Sequence, residues 1–195
     1  PFRRQTPIIL GAVAYPARLF KTALAQGDGL SAPLCNPGPA KTLFLKRCDG
    51  NMEQTIMARY QSWMRSDSVP KELREELSAL RDEEEITDRF YRDLSFGTGG
   101  LRGKMGAGTT RMNVLTVGKA TQGLAWYLKA RTQTPSVCIA YDTRNHSREF
   151  AEHTAKVLCG NGIQVYLFDT IHPTPMLSFA VRHLGASAGV VVTAS

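Results

Sequence analysis

The chain has 195 residues, of which 43% are hydrophobic and 21% are charged, as is typical of a globular protein with a buried core. Its longest apolar runs are too short to cross a bilayer, so we expect no integral membrane protein and no membrane partner. The formal net charge is +7, but it is unevenly placed: residues 1–51 hold seven basic and two acidic side chains, and the rest of the chain holds 17 basic and 15 acidic ones. Because the larger part is nearly neutral, the charge argues against a nucleic-acid partner.

Residues 1–51 combine Pro, Gly, Ala and scattered basic residues with little hydrophobic periodicity, so we predict no regular structure there. The pair Arg3-Arg4 before an apolar run gives only a faint likeness to a signal peptide. The composition changes abruptly at Met52. We therefore expect residues 1–51 to be a disordered or non-native leader, with the natural protein beginning at Met52.

The four cysteines form no C-x-x-C pair, and their spacing with the histidines does not suggest metal ligands. Two of them, Cys138 and Cys159, lie in apolar predicted elements. We interpret the cysteines as reduced thiols, and this predicts a cytoplasmic protein.

Residues 52–94 show the hydrophobic period of α-helices, with charged residues between the apolar positions. This period predicts three amphipathic helices, which together form a helical N-terminal extension. Pro70 suits the first turn of one helix, and the acidic residues 82–85 suit the positive end of the next helix dipole. We expect that acidic run to be a solvated helix start rather than a metal site.

Residues 95–113 contain six glycines, which are costly unless the backbone needs unusual dihedral angles or approaches a ligand closely. One interpretation is a β-hairpin with glycine turns. The other is an anion-binding loop in which backbone N–H groups, Thr98 and Arg102 hold a phosphate. The segment has neither the G-K-[ST] of a Walker loop nor G-x-G-x-x-G, so the residues alone leave both interpretations open.

The remaining sequence alternates helices and strands. Asn113 can cap the first of these helices, and Thr174 with Pro175 can start the last one, which closes at Gly185. Between and after these points we predict strands at 136–141 and 163–168, a helix at 147–159 and a final strand around Val190 to Val192. The alternation predicts an α/β fold: a three-layer α/β/α domain with a mainly parallel, mixed sheet over residues 95–195.

Loops that follow parallel strands lie at one edge of the sheet, where ligands bind in such folds. Here those loops are residues 142–145, 169–174 and 193–195. Ser195 is either an ordinary turn residue or a nucleophile, since a serine needs an activating neighbour. Arg144 is either a surface arginine or a phosphate partner. Their shared edge favours the functional interpretation of both residues.

Three segments, FGTGGLRGKMGAGTTRMN, YDTRNHSREFA and TPMLSFAVRHLGASAGVVVTAS, resemble the α-D-phosphohexomutases, in the phosphoglucomutase and phosphomannomutase branch related to phosphopentomutase. The resemblance covers roughly residues 52–195. It implies that Ser195 carries the phosphoryl group and binds the metal through its phosphate, and that Asp142 and Arg144 support the serine loop. The residues that it assigns to substrate or phosphate binding are Thr98, Gly99, Gly100, Arg102 and Arg144.

The resemblance also implies an isomerase that interconverts hexose 1-phosphate and hexose 6-phosphate, with glucose or mannose as the sugar, through a phosphoserine and a bisphosphate intermediate. The implied cofactors are Mg²⁺ and, as activator, hexose 1,6-bisphosphate, and the implied partner is the sugar phosphate substrate. A different class stays open as the alternative: a non-catalytic phosphate- or nucleotide-binding α/β module that uses the glycine segment and not Ser195.

The sequence stops at Ser195, whereas the resembling family continues with His-Asn-Pro, an aspartate-rich magnesium loop, a sugar-discriminating loop and a last phosphate-binding domain. We therefore expect the chain to be the first of four domains. We also expect it to have no mutase activity by itself, because the other metal ligands and sugar contacts would lie in the later domains.

Overall fold

A computed structural model of the chain describes residues 8–13 and 49–194. In these ranges it contains six strands and six helices. In chain order they are β1 (Ile8–Val13), α1 (Asp49–Arg65), α2 (Lys71–Ser78), α3 (Glu83–Phe90), β2 (Phe96–Gly97), β3 (Gly100–Gly103), α4 (Val114–Arg131), β4 (Ser136–Tyr141), α5 (Ser147–Gly160), β5 (Gln164–Leu167), α6 (Thr174–His183) and β6 (Ala188–Ala194).

The six strands form one mixed sheet in the order β2-β3-β1-β6-β4-β5. Strand β4 runs parallel to both β5 and β6, as expected for strands joined by helices. Strand β1 is antiparallel to β3 and to β6, and β2 and β3 form an antiparallel hairpin. The predicted α/β class with a mixed sheet is confirmed.

Strands β4 and β6 are buried on both faces, which explains their unbroken apolar sequences. Val137, Ile139, Val190 and Val192 belong to the larger core, together with buried residues of α4 and α5. The side chains between them, including Cys138, Ala140 and Val191, pack against Leu177 and Val181 of α6. The sheet therefore lies between two helical layers.

The start of α4 is fixed by Asn113, as the sequence predicts. Asn113 Oδ1 accepts hydrogen bonds from the backbone N–H groups of Leu115 and Thr116, and Thr116 Oγ1 accepts one from the Asn113 N–H. At α6 the prediction is wrong by one residue. Pro173 is the N-cap, and Thr174 is already helical, with no side-chain cap at this end.

Strand β1 differs from the expectation that residues 1–51 lack regular structure. Ile8–Val13 pairs along its whole length with β6, and its first three residues pair with β3. The physical reason is that β3 and β6 both need a hydrogen-bonding neighbour, which a short apolar segment supplies. Residues 1–7 and 14–48 lie outside the described residues, and the proposal that residues 1–51 form a non-native leader stays a prediction.

The three helices predicted for residues 52–94 are present, and they surround Phe90, which is fully buried. The rings of Tyr60 and Trp63 meet Phe90 edge to face, at centroid distances of 5.8 and 5.6 Å. Ala107 of the glycine-rich segment is part of the same buried cluster. The helical extension therefore packs directly on the segment that follows β3.

Charged hydrogen bonds reinforce this packing. The guanidinium of Arg89 donates to the carboxylates of Glu76 and Glu85 and to the carbonyl of Ala107, while Arg111 donates to Asp88 over 2.6 Å. The hydrogen bond from Arg89 lowers the pKa of Glu85, and the hydrogen bond from Arg111 lowers the pKa of Asp88. The contacts with Ala107 and Arg111 hold α3 against the glycine-rich segment, and the Arg89–Glu76 pair joins α3 to α2.

Gly108 permits the close approach of these two segments. Its φ angle of 129° is one that other residues rarely adopt, and a Cβ at this position would lie 2.8 Å from the carbonyl oxygen of Arg89.

In the part of the chain that the structure describes, no helix is both long and apolar enough to cross a bilayer.

We predict that deleting residues 1–13 lowers the thermal transition by roughly 5 °C or more, because β6 and β3 then lose the strand between them. The measurement is differential scanning calorimetry of the purified chain. Deletion of residues 1–7 alone is the control, since it leaves β1 intact. Equal transition temperatures for the two deletions would show that β1 contributes nothing to stability and would favour a dispensable leader.

We further predict a pH-dependent contribution from Asp88. Its pKa is lower in the folded chain than in the unfolded chain, so its stabilisation is present above its ordinary pKa and is lost as the pH falls. Asp88→Asn should lower the free energy of unfolding by about 1 kcal/mol at pH 7 and by less at about pH 3, below the ordinary pKa of an aspartate.

Urea titrations at a series of pH values test this pH dependence. The control variant is Glu72→Gln, which removes an exposed carboxylate of α2. A cost for Asp88→Asn that is the same at both pH values would contradict the assignment.

Candidate functional site

The carboxyl ends of the three parallel strands meet at one edge of the sheet. Tyr141 pairs with Val192, and Ile139 pairs with Leu167, so the loops after β4 and β5 begin beside the end of β6. The hydroxyl of Tyr141 donates to the carbonyl of Asp169 over 2.9 Å and ties two of these loops together. The predicted convergence of the strand-end loops is therefore observed for the described residues.

Asp142 connects the loop after β4 with the end of β6. Its Oδ2 accepts a hydrogen bond of 2.6 Å from the hydroxyl of Thr193. Its Oδ1 accepts one of 2.6 Å from the hydroxyl of Ser147 and one of 3.0 Å from the N–H of Arg144. The Asp142 N–H itself donates to the carbonyl of Val192. Asp142 is thus fixed by its backbone and by both carboxylate oxygens.

Arg102 lies in the same row of the sheet as Thr193. Arg102 is opposite Ile9 on one side of β1, and Thr193 is opposite Ile9 on the other. Two strand spacings separate the Arg102 and Thr193 backbones, or roughly 10 Å, and residues paired in this way lie on the same face. The Arg102 side chain is exposed, so a cation is available on the face of the sheet that carries Thr193.

Thr98 and Gly99 form the turn of the β2–β3 hairpin, and Gly97 pairs with Gly100. Because β3 runs in the same direction as β6, this turn lies at the end of β3 that points away from the strand-end loops. Arg102 links the two regions: a Cβ at Gly99 would overlap the Arg102 guanidinium, so the glycine leaves space for that group. The hairpin interpretation of this segment is therefore correct in geometry.

The turn residues and Arg102 line a shallow, open hollow. The structure brings Thr98, Gly99, Gly100 and Arg102 together there. It does not place Thr98, Gly99 or Gly100 beside Thr193 or Asp142, since these three residues lie at the opposite end of β3. Of this set, Arg102 is the residue in register with the end of β6.

Arg144 is exposed in the loop after β4. Among the residues that the structure describes, its guanidinium has no ion-pair partner, while its backbone N–H donates to Asp142 and its carbonyl accepts from the Ser147 N–H. The loop ends at His146, which directly precedes the first residue of α5. The φ angle of His146 is 65°, in the left-handed region. The edge thus presents a free cation on a tightly held loop.

Ser195 lies outside the described residues, so its geometry is not described. Strand β6 ends at Ala194, which pairs with Ile8. At this edge the Asp142 carboxylate is taken up by internal hydrogen bonds, while the Arg144 side chain is exposed. The exposed Arg102 belongs to the same row as Thr193, with its guanidinium beside Gly99. This distribution of charge suits an anionic ligand.

In the described ranges, no group of three His, Cys, Asp or Glu side chains is arranged to hold a metal ion. The described residues supply no ligand set for the Mg²⁺ implied by the resemblance, whose expected ligands, the Ser195 phosphate and residues of later domains, lie outside them. We therefore derive no chemical step through magnesium.

Two residues at this edge were not predicted from the sequence, namely Ser147 and Thr193. A local signal for Ser147 exists, because a serine at a helix start shortly after an aspartate commonly bonds within the turn. Thr193 pairs with Asp142 across two strands, and only the strand order reveals that contact.

Fold and site together define an α/β/α domain with an exposed arginine, Arg144, in a loop at its strand ends. The family described as phosphoglucomutase/phosphomannomutase, alpha/beta/alpha domain I, matches residues 93–195. Phosphoglucomutases from two Staphylococcus aureus strains, bovine RF122 / ET3-1 and USA300, are each 42% identical to the chain over 153 residues. The chain belongs to the phosphoglucomutase/phosphomannomutase family.

The aligned region covers 77% of this chain but 26% of each of these relatives. The chain therefore spans about a quarter of the length of the curated relatives that it matches. No solved structure matches it.

Proposed function

We propose that the chain is the phosphoserine-bearing domain of a phosphohexomutase, which interconverts hexose 1-phosphate and hexose 6-phosphate, with glucose or mannose as the sugar. The observation that carries the proposal is the Asp142 carboxylate, which joins the Arg144 loop to the strand that leads into Ser195. This contact supports a shared site for the two loops. The family membership supports the reaction class.

In the proposed reaction, a free hydroxyl of the sugar phosphate attacks the phosphorus on Ser195. The bond between phosphorus and Ser195 Oγ breaks, a new bond joins phosphorus to the sugar oxygen, and the proton lost by the sugar hydroxyl is balanced by one taken up at Ser195 Oγ. The resulting bisphosphate then returns its other phosphate to Ser195 by the reverse step. The net result is an isomerisation, and the enzyme regains its phosphate.

Arg102 and Arg144 have the charge and exposure to bind phosphate oxygens in this scheme. Charge on the transferring group is spread over its oxygens, so nearby guanidinium groups stabilise it. Thr98, Gly99 and Gly100 would act through the hollow that they share with Arg102. Hexose 1,6-bisphosphate would serve as activator by donating a phosphoryl group to unphosphorylated Ser195.

A cytoplasmic location stays a prediction, and it is supported by two free thiols, a buried one at Cys138 and an exposed one at Cys159. Mg²⁺ likewise stays an expectation drawn from the family, without a ligand set among the described residues.

The proposal predicts that Ser195 takes stable phosphate in the longest natural form of the protein. That protein, incubated with glucose 1,6-bisphosphate labelled with ³²P, should hold about one phosphate per chain, which mass spectrometry should map to Ser195. Ser195→Ala should abolish the label, whereas Ser68→Ala, which changes an exposed serine of the helical extension, should not. Phosphate binding without any label on Ser195 would instead favour the non-catalytic binding module.

We also predict that the 195-residue chain alone does not turn over glucose 1-phosphate. Phosphoryl transfer depends on positioning and charge stabilisation, and the chain spans about a quarter of its relatives. A coupled assay for glucose 6-phosphate, with magnesium and catalytic glucose 1,6-bisphosphate, measures this. Turnover by the purified chain that disappears in Ser195→Ala would contradict the prediction.

A further inference from the structure

The Asp142 carboxylate lies between hydroxyl groups from two different elements. Ser147 is the first residue of α5, and Thr193 is the last but one of β6. We propose that Ser147 and Thr193 are positioning residues, which act through Asp142 to fix the end of β6 on the start of α5. The inference rests on the proposed function, because its consequence for the reaction is the placement of Ser195, two residues beyond Thr193.

The direction of the hydrogen bonds assigns Thr193 its role. An ionised carboxylate only accepts hydrogen bonds, so the hydroxyls of Ser147 and Thr193 are both donors to Asp142. A hydroxyl has a single proton, and here that proton is already engaged. Thr193 is therefore unable to donate a hydrogen bond to a phosphate while this contact lasts, which separates positioning from phosphate binding.

Geometry and burial make the connection rigid. Both hydroxyl–carboxylate distances are 2.6 Å, in the short range of charge-assisted hydrogen bonds. Ser147 is 0% exposed, so water does not compete for its hydroxyl. Its N–H donates to the carbonyl of Arg144, and the Asp142 N–H donates to Val192. Side-chain and backbone contacts therefore both join the end of β6, the loop after β4 and the start of α5.

This arrangement affects the rate of transfer more than the binding of substrate. A displacement of about 1 Å of a reacting group can cost roughly a hundredfold in rate, since transfer needs an aligned geometry. Neither hydroxyl is free to contact the sugar phosphate by donation. Loss of one of them should therefore lower kcat and leave KM nearly unchanged.

The test compares Thr193→Val, which keeps the shape and removes the hydroxyl, with Thr193→Ser, which keeps the hydroxyl. In the longest natural form of the protein, Thr193→Val should lower kcat for glucose 1-phosphate by at least roughly tenfold, with KM within about twofold. Thr193→Ser should stay within about threefold of the parent in kcat. Thr134→Val, at an exposed site ahead of β4, is the matched control.

Ser147→Ala should reproduce the kinetic effect of Thr193→Val, because it removes the other partner of Asp142. A raised KM with unchanged kcat in Thr193→Val would identify Thr193 as a phosphate ligand and overturn the inference. Full activity in Thr193→Val would overturn it as well.

A second measurement separates this inference from the proposed function. Amide hydrogen exchange of the 195-residue chain, read by mass spectrometry, should become at least roughly tenfold faster at the end of β6 in Thr193→Val and not in Thr193→Ser or Thr134→Val. If the parent protein carries no phosphate on Ser195 and has no turnover, the proposed function fails while the exchange result still decides the positioning role. Unchanged exchange in Thr193→Val would overturn the positioning role.

Discussion

The candidate site depends on one carboxylate. Asp142 directly follows β4, and its two oxygens bind the end of β6, the N–H of the next loop and the first hydroxyl of α5. An alanine at this position would leave at least three donors without their acceptor, one of them on a fully buried side chain. The loops at this edge are therefore ordered by a shared acceptor as well as by the sheet.

A second set of charges holds the other half of the domain. Arg89 and Arg111 join α3 to the segment after β3, and Asn113 donates to the carbonyls of Gly106 and Gly108 while it caps α4. The helical extension thus supports the segment that follows β3, the strand of Arg102. Without this contact the glycine-rich segment would have few apolar side chains to fix its course.

The sequence predicts those elements whose signals are local. The bounds of β4 are obtained correctly because residues 136–141 are apolar on both faces, and the start of α4 is obtained because Asn113 caps within its own turn. The pairing of Arg102 with the Thr193 row depends on strand order and register, which periodicity does not contain. The same limit explains why β1 and the Asp142–Thr193 contact were missed, and why the glycine segment was left undecided.

Strand β1 has a consequence for how the chain acquires its fold. Ile8 pairs with Ala194, so the sheet is completed by a contact that closes nearly the whole chain into one loop. Contacts of such long sequence separation form late, because the loop-closure entropy is lost before they are made. If β1 is synthesised with the rest of the chain, it is made well before β6 and meets this partner only after β6 has left the ribosome. Until then β1 lacks the neighbour that it has in β6, and an unpaired strand edge of this kind can pair with other chains.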